Sequence, residues 1–190
     1  EIFGWDGVEN CDNNDSQGEN CCCTLTNVTS YFVGGENPDY FTIQEAINVA
    51  GDNDTIYVAE GEYHENLIIR KAINLFIHFV LENVESYIDN TKIISVAGAN
   101  DVYGSCVAFL PPGSGSDDDN RTPGNPSIVG FTLKGGIGTK ILDYSEGNGD
   151  TVRTRMGGAI FSFHINPVIN HNKLIENVLD EPEAMAAIGV

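Results

Sequence analysis

The sequence predicts an all-β fold, a solenoid of short strands opened by one short helix. Three observations predict it: a capped amphipathic segment at Ile43 to Ala50, a succession of short β-rich segments between turns, and an internal repeat. The helix comes first. Thr42-Ile-Gln-Glu45 has the spacing of a capping box, Ile43, Ala46, Ile47 and Ala50 follow at helical intervals, and Gly51 supplies a stop. Its apolar face must cover something, and replacing Thr42 with Ala is expected to cost about 1 kcal/mol.

The strands come next. Thr55 to Ala59, Asn66 to Ile69, Ile73 to Ile77, Lys92 to Ala97 and Ser105 to Leu110 are short and rich in β-branched or aromatic residues. Ser127 to Leu133, Ala159 to Phe163, Pro167 to Ile169 and a short segment around Leu174 continue the series. Long polar insertions are expected at Pro111 to Asn125 and Thr139 to Arg155.

The repeat appears when Asn125-Pro-Ser-Ile-Val-Gly-Phe-Thr-Leu is set against Asn166-Pro-Val-Ile-Asn-His-Asn-Lys-Leu. The Asn-Pro pairs coincide, Ile128 meets Ile169, Leu133 meets Leu174, and His171 falls where Gly130 stands. Short strands, repeated punctuation and loops of variable length fit stacked repeats that bury their inward residues against one another. Asn166, Asn170, Asn172 and Asn177 are expected to stack on Asn side chains of neighbouring repeats.

Composition bounds the function. With 41% hydrophobic residues the chain has enough apolar material for a core. Its 28 acidic and 9 basic residues give a formal charge of -19, which repels phosphate backbones, so nucleic acid is excluded as the expected partner. The most apolar run, Leu75 to Leu81, is far shorter than the roughly 20 residues of a membrane-spanning helix, so no insertion into a membrane is expected. The chain opens at Glu1 without a leader, and an export signal is expected to have been removed or to lie outside it.

Cys11, Cys21, Cys22 and Cys23 lie in a polar arm, residues 1–30, and Cys106 sits in an apolar stretch. Cys106 is expected to be buried and unpaired. Pairing of Cys11 with one of the triplet would suit an exported protein, and a zinc site would suit a reducing compartment. Asn27, Asn53 and Asn120 begin glycosylation sequons that matter only in a glycosylating host. Residues 12–23 begin like a calcium loop but carry Gln17 and Cys23 where an EF-hand needs Gly and Glu.

Tyr31-Phe-Val, Phe41-Thr-Ile-Gln-Glu-Ala-Ile, Asp54-Thr-Ile-Tyr-Val-Ala, Gly61-Glu-Tyr-His-Glu-Asn, Ile128-Val-Gly-Phe-Thr and Gly157-Gly-Ala-Ile follow in an order that resembles the right-handed parallel β-helix repeat proteins of the pectin-lyase-like superfamily. The resemblance spans about Tyr31 to Asn177. It implies a right-handed parallel β-helix over residues 31–180, with the helix capping its N-terminal end and residues 181–190 as a tail that is helical or incomplete. That superfamily includes lyases, hydrolases, esterases, epimerases, phage spikes and adhesins, so the fold does not choose an activity.

Two functions are open on these residues. One is an exported, extracellular or cell-surface module that binds a polysaccharide or cell-surface glycan or serves a structural role. Its candidate glycan contacts are Phe161 and Phe163, which alternate away from Ile160 on one strand, with Arg153 and Arg155 nearby, although packing of the two rings beneath the Thr139 to Arg155 insertion is the plainer reading. The other is a calcium-assisted polysaccharide lyase or glycoside hydrolase, or a fragment of one. Calcium is the one cofactor suggested: the Asp117, Asp118 and Asp119 carboxylates repel one another until a cation lies between them, and Asp143, Glu146 and Asp150 share an insertion with the Arg pair. Solvated acidic loops are the plainer reading of both runs, and no catalytic residue is assigned. His164 and His171 have no partner at zinc spacing.

Overall fold

The structure is a computed structural model that describes residues 28–78, 86–96, 102–112, 124–144, 151–179 and 188–189; for 141–144, 151–154 and 188–189 only the backbone is described. In chain order, β1 (Ser30–Val33) is followed by α1 (Ile43–Val49), β2 (Thr55–Val58), β3 (Gly61–His64), β4 (Leu67–Ile69) and β5 (Asn74–Ile77). Then come α2 (Ser86–Asn90), β6 (Thr91–Ile94), β7 (Tyr103–Gly104), β8 (Val107–Phe109), β9 (Ser127–Val129) and β10 (Thr132–Lys134). The remainder is β11 (Gly138–Tyr144), β12 (Thr151–Met156), β13 (Ile160–Ser162), β14 (Val168–Asn170), β15 (Lys173–Ile175) and β16 (Ile188–Gly189).

These strands form four sheets. Three are parallel, with the orders β1-β2-β5-β9-β14, β3-β6-β10-β15 and β4-β8-β13-β16, and the fourth, β7-β11-β12, is antiparallel. Among the described residues no closed solenoid forms, and the expectation of an all-β right-handed parallel β-helix is corrected to a mostly β fold of separate sheets with two short helices. Part of the reason lies in Thr139 to Arg155, expected as a polar insertion. Thr139 to Tyr144 pair with Met156 to Thr151 in antiparallel register. Sequence neighbours joined by a short turn pair this way readily, whereas a parallel pair needs a long crossover.

The strand pattern follows from alternation. In β2, Ile56 and Val58 are buried while Thr55 and Tyr57 are half-buried, and β5 repeats this with Leu75 and Ile77 against Asn74 and Phe76. One face of the sheet therefore enters the main core, which also holds Val33, Leu67, Ile69, Ile93, Phe109, Ile128, Phe131 and Leu133. The repeat read from the sequence is a ladder register: Ile128 lies opposite Ile169, and Leu133 opposite Leu174. Gly130 and His171 both have positive φ, 93° and 51°. At Gly130 a Cβ would come within 2.6 Å of the Ile77 side chain, so glycine supplies both the conformation and the clearance.

Helix α1 buries Ile43, Ala46 and Ile47, the face expected from its spacing. Thr42 Oγ1 accepts from Glu45 N at 3.3 Å, and the Glu65 carboxylate accepts from Ile43 N and Gln44 N, each at 2.9 Å. At the other end Lys71 Nζ donates to the carbonyls of Ile47, Asn48 and Ala50. A carboxylate at the N-terminus and an ammonium at the C-terminus both complement the helix dipole. The helix carries no basic residue in its own last turn, so Lys71 supplies the missing cation from a loop distant in sequence.

Of the asparagines expected to stack, Asn172 and Asn177 bond instead to the backbone of the neighbouring segment. Asn172 accepts from Phe131 N and donates to Ile128 O, at 2.8 and 2.9 Å. Asn177 does the same with Gly136 N and Leu133 O, again at 2.8 and 2.9 Å. Each amide uses its donor and its acceptor to clip its own segment to the backbone of the neighbouring one, a geometry another Asn could satisfy only in part. Among the described residues no helix is long and apolar enough to cross a membrane.

Candidate functional site

Parallel register turns single residues into rows. On the outward face of the first sheet, Phe32 lies opposite Tyr57, Tyr57 opposite Phe76, and Phe76 opposite Val129. Strands about 4.8 Å apart place such side chains in contact. Phe32 and Tyr57 are near-parallel, with centroids 5.6 Å apart and planes at 22°, while Tyr57 and Phe76 are tilted at 6.3 Å. Centroids that far apart belong to offset rings, which leaves part of each face uncovered. His78 adds an edge-on imidazole to Phe32 and Tyr57 at 6.0 and 6.5 Å.

This row faces solvent, with Phe32 42% exposed and Tyr57, Phe76 and His78 partly so. Beside it runs a polar row in the same register, Ser30, Thr55, Asn74 and Ser127. Ser127 Oγ donates to Asn74 Oδ1 at 2.8 Å, which orients the amide. Asp39 fixes the start of the aromatic row, accepting from Phe32 N at 2.8 Å. The arrangement is a rigid strip of rings with hydroxyl and amide groups along one side.

The residues singled out in the sequence are dispersed. Phe161 is buried against Ala108 and Leu110, with Ile68, Tyr103 and Met156 packed around them, so its ring is not offered to a ligand. Phe163 is exposed, near-parallel to Phe161 at 6.4 Å and edge-on to His164 at 4.2 Å. Arg155 is buried, and its Nη1 donates to Gly138 O at 2.8 Å, a use that fastens β12 to the start of β11. Arg153 lies on β12 opposite Leu142, and Asp143 on β11 opposite Val152; their side chains are outside the described residues. Asp117, Asp118, Asp119, Glu146, Asp150 and the cysteines of the arm also lie outside the described residues. Among the described residues no group of three or more His, Cys, Asp or Glu is placed to hold a metal ion.

Sequence reasoning missed the aromatic strip because its members sit in different segments and meet only through register. A signal was present: Tyr31-Phe-Val, Ile56-Tyr-Val and Leu75-Phe-Ile each have an aromatic as the middle residue. No family model matches the chain, and no curated protein matches it.

Proposed function

We propose that the chain is a non-catalytic module of an exported protein and that it binds a polysaccharide along the outward face of its first sheet. The observation that carries this reading is the solvent-facing row Phe32, Tyr57 and Phe76 with the Thr55 and Asn74 row beside it. Aromatic faces pack against the C–H surface of a sugar ring, and the neighbouring amide and hydroxyl groups hydrogen-bond its hydroxyls. A strand-borne row holds its geometry before the ligand arrives, which limits the ordering cost of binding. A glycan also suits a chain of charge -19 better than a phosphate polymer does.

Calcium at Asp117 to Asp119 belongs to the proposed lyase alternative, and nothing in the Arg155 environment favours that alternative. It keeps a separate test: calcium should raise the melting temperature more than magnesium at equal ionic strength, and Asp118→Asn should remove the difference.

Affinity electrophoresis and calorimetry against soluble neutral and uronate-bearing polysaccharides test the binding reading. Tyr57→Ala should weaken binding at least tenfold, Tyr57→Phe should retain it, and Phe161→Ala, at a buried ring, should act only through stability. Absence of binding to every polysaccharide, or unchanged affinity in a folded Tyr57→Ala protein, would leave the row with a purely structural role in cross-strand packing.

A further inference from the structure

The strands of the first sheet, β1, β2, β5, β9 and β14, contain no charged residue, although 19% of the chain is charged. The cations of the other strands lie in other sheets. Lys92, Lys134 and Lys173 belong to the second sheet and are paired with Glu62, Glu176 and Asp89, while Lys140, Arg153 and Arg155 belong to the antiparallel sheet. Arg70 and Lys71, just before β5, are engaged elsewhere, with Arg70 Nη1 donating to Pro111 O and Lys71 Nζ to three carbonyls at the end of α1.

The groups along the aromatic and polar rows are matched to hydroxyls instead. The side-chain hydroxyls of Ser30, Thr55 and Tyr57 have no hydrogen-bond partner among the described residues, and each can both donate and accept. His78 is the one side chain on these rows able to become cationic. Two carboxylates flank their start: Asp39 accepts from Phe32 N at 2.8 Å, and Asp54, immediately before Thr55, accepts from Thr29 N at 2.7 Å. A sugar hydroxyl exchanges bonds with such groups as it does with water. An anionic substituent accepts only, must shed strongly held water, and meets like charges with no cation to offset them. Nor do the described residues gather a set of acidic side chains that could bridge to a uronate through a metal ion.

Resting on the reading that these rows bind a polysaccharide, we propose that the polysaccharide they take is uncharged, a chain of hydroxyl-bearing rings without uronate or sulfate groups. Its rings lie on Phe32, Tyr57 and Phe76, and its hydroxyls meet Ser30, Thr55 and Asn74.

The test compares each neutral polysaccharide that binds the 190-residue chain with its own derivative oxidised at the primary alcohol to a uronate. Calorimetry is run at equal ionic strength, with calcium and with a chelator, at about pH 8, above the range in which imidazole titrates. Oxidation should weaken binding by about tenfold or more, and calcium should not restore it. Ser30→Lys, at an exposed position of the polar row, should recover about threefold of the lost affinity for the oxidised form. Oxidised forms that bind as tightly as their parents, with or without calcium, and lose that binding in Tyr57→Ala would overturn the uncharged class while leaving the polysaccharide reading in place. An unchanged gap in folded Ser30→Lys protein would also overturn it, because the discrimination would not then be one of charge at this row. Binding to neither form of any polysaccharide overturns both readings together.

Discussion

At one end of the parallel sheets, β1 and β4 have their outer backbone groups met by Asp39, Tyr40 and the Gln44 side chain, and α1 lies over Val33 and Ile56. At the other end, β14 and β15 carry the same apolar pattern to solvent. The two ends use the same kind of strand, so the difference is not one of propensity. It lies in the segment from Gly34 to Val49 that follows β1 and folds back over its edge, supplying a helix, an amide that bonds like a strand, and an aspartate that bonds like a carbonyl.

The largest effect that separates the ends is expected at Leu133 and Leu174, which are register partners with different surroundings. Leu133→Ala should cost about 2–5 kcal/mol, since the side chain is wholly buried and its loss leaves a cavity. Leu174→Ala, measured on dilute protein by urea unfolding, should cost about 1 kcal/mol or less because much of the side chain already meets water. Equal losses would mean that Leu174 is covered as fully as Leu133 and would erase the distinction.

Much of this contrast was legible in the sequence, though not its meaning. The Asn-Pro repeat carried the register of Ile128 with Ile169 and Leu133 with Leu174, because residues that stack in parallel strands recur with the same turn chemistry. The capping box located α1 for a similar reason, since Thr42 and Glu45 act within one turn. Glu65, Lys71 and Gln44 were invisible as partners because their contacts are set by tertiary placement. The expected insertion at Thr139 to Arg155 became β11 and β12 because its Thr, Val and Ile residues favour strands despite the surrounding polar residues. Phe161 and Phe163 were grouped by alternation, but packing of Phe161 under Leu110 and Met156 decided their exposure. The aromatic strip required a register that no local pattern encodes.

A second, smaller effect reports on the open end from inside. Cys106 is buried and unpaired, and burial pushes its thiol up to about 11 from 9.0. Its Sγ donates to Lys134 O at 3.4 Å and lies 3.5 Å from Asn177 Oδ1, an amide that clips the end of the β15 segment. Because the folded-state value is raised, folded protein holds the proton when unfolded chain has lost it. Stability is therefore unaffected well below pH 9 and declines as pH rises toward 11, by about 2–3 kcal/mol at most. Cys106→Ala should flatten that decline, leaving a residual slope from Tyr63, whose phenol burial also raises. Mass-spectrometric labelling of Cys106 at neutral pH should quicken in Asn177→Ala and stay unchanged in Gln44→Ala. The opposite ranking would place the weaker end at α1.

The smallest effects belong to the sealed end, where two groups share the N-terminus of α1. Glu65 takes the N–H groups of Ile43 and Gln44 at 2.9 Å, and Thr42 takes only that of Glu45, at 3.3 Å and in an exposed position. Charged acceptors form the stronger bonds, and a 3.3 Å contact lies beyond the usual range for N–H···O. Glu65→Gln should therefore cost about 1 kcal/mol, while Thr42→Ala should cost only about 0.5 kcal/mol, the low end for an N-cap and half the value expected from the capping box alone. In the double variant the losses should exceed their sum, because either group alone keeps the first turn formed and so limits the damage from losing the other. Strict additivity would indicate that neither group depends on the other to keep the first turn formed. A Thr42→Ala loss larger than that of Glu65→Gln would return the leading role to the local cap and reduce the carboxylate to a bystander.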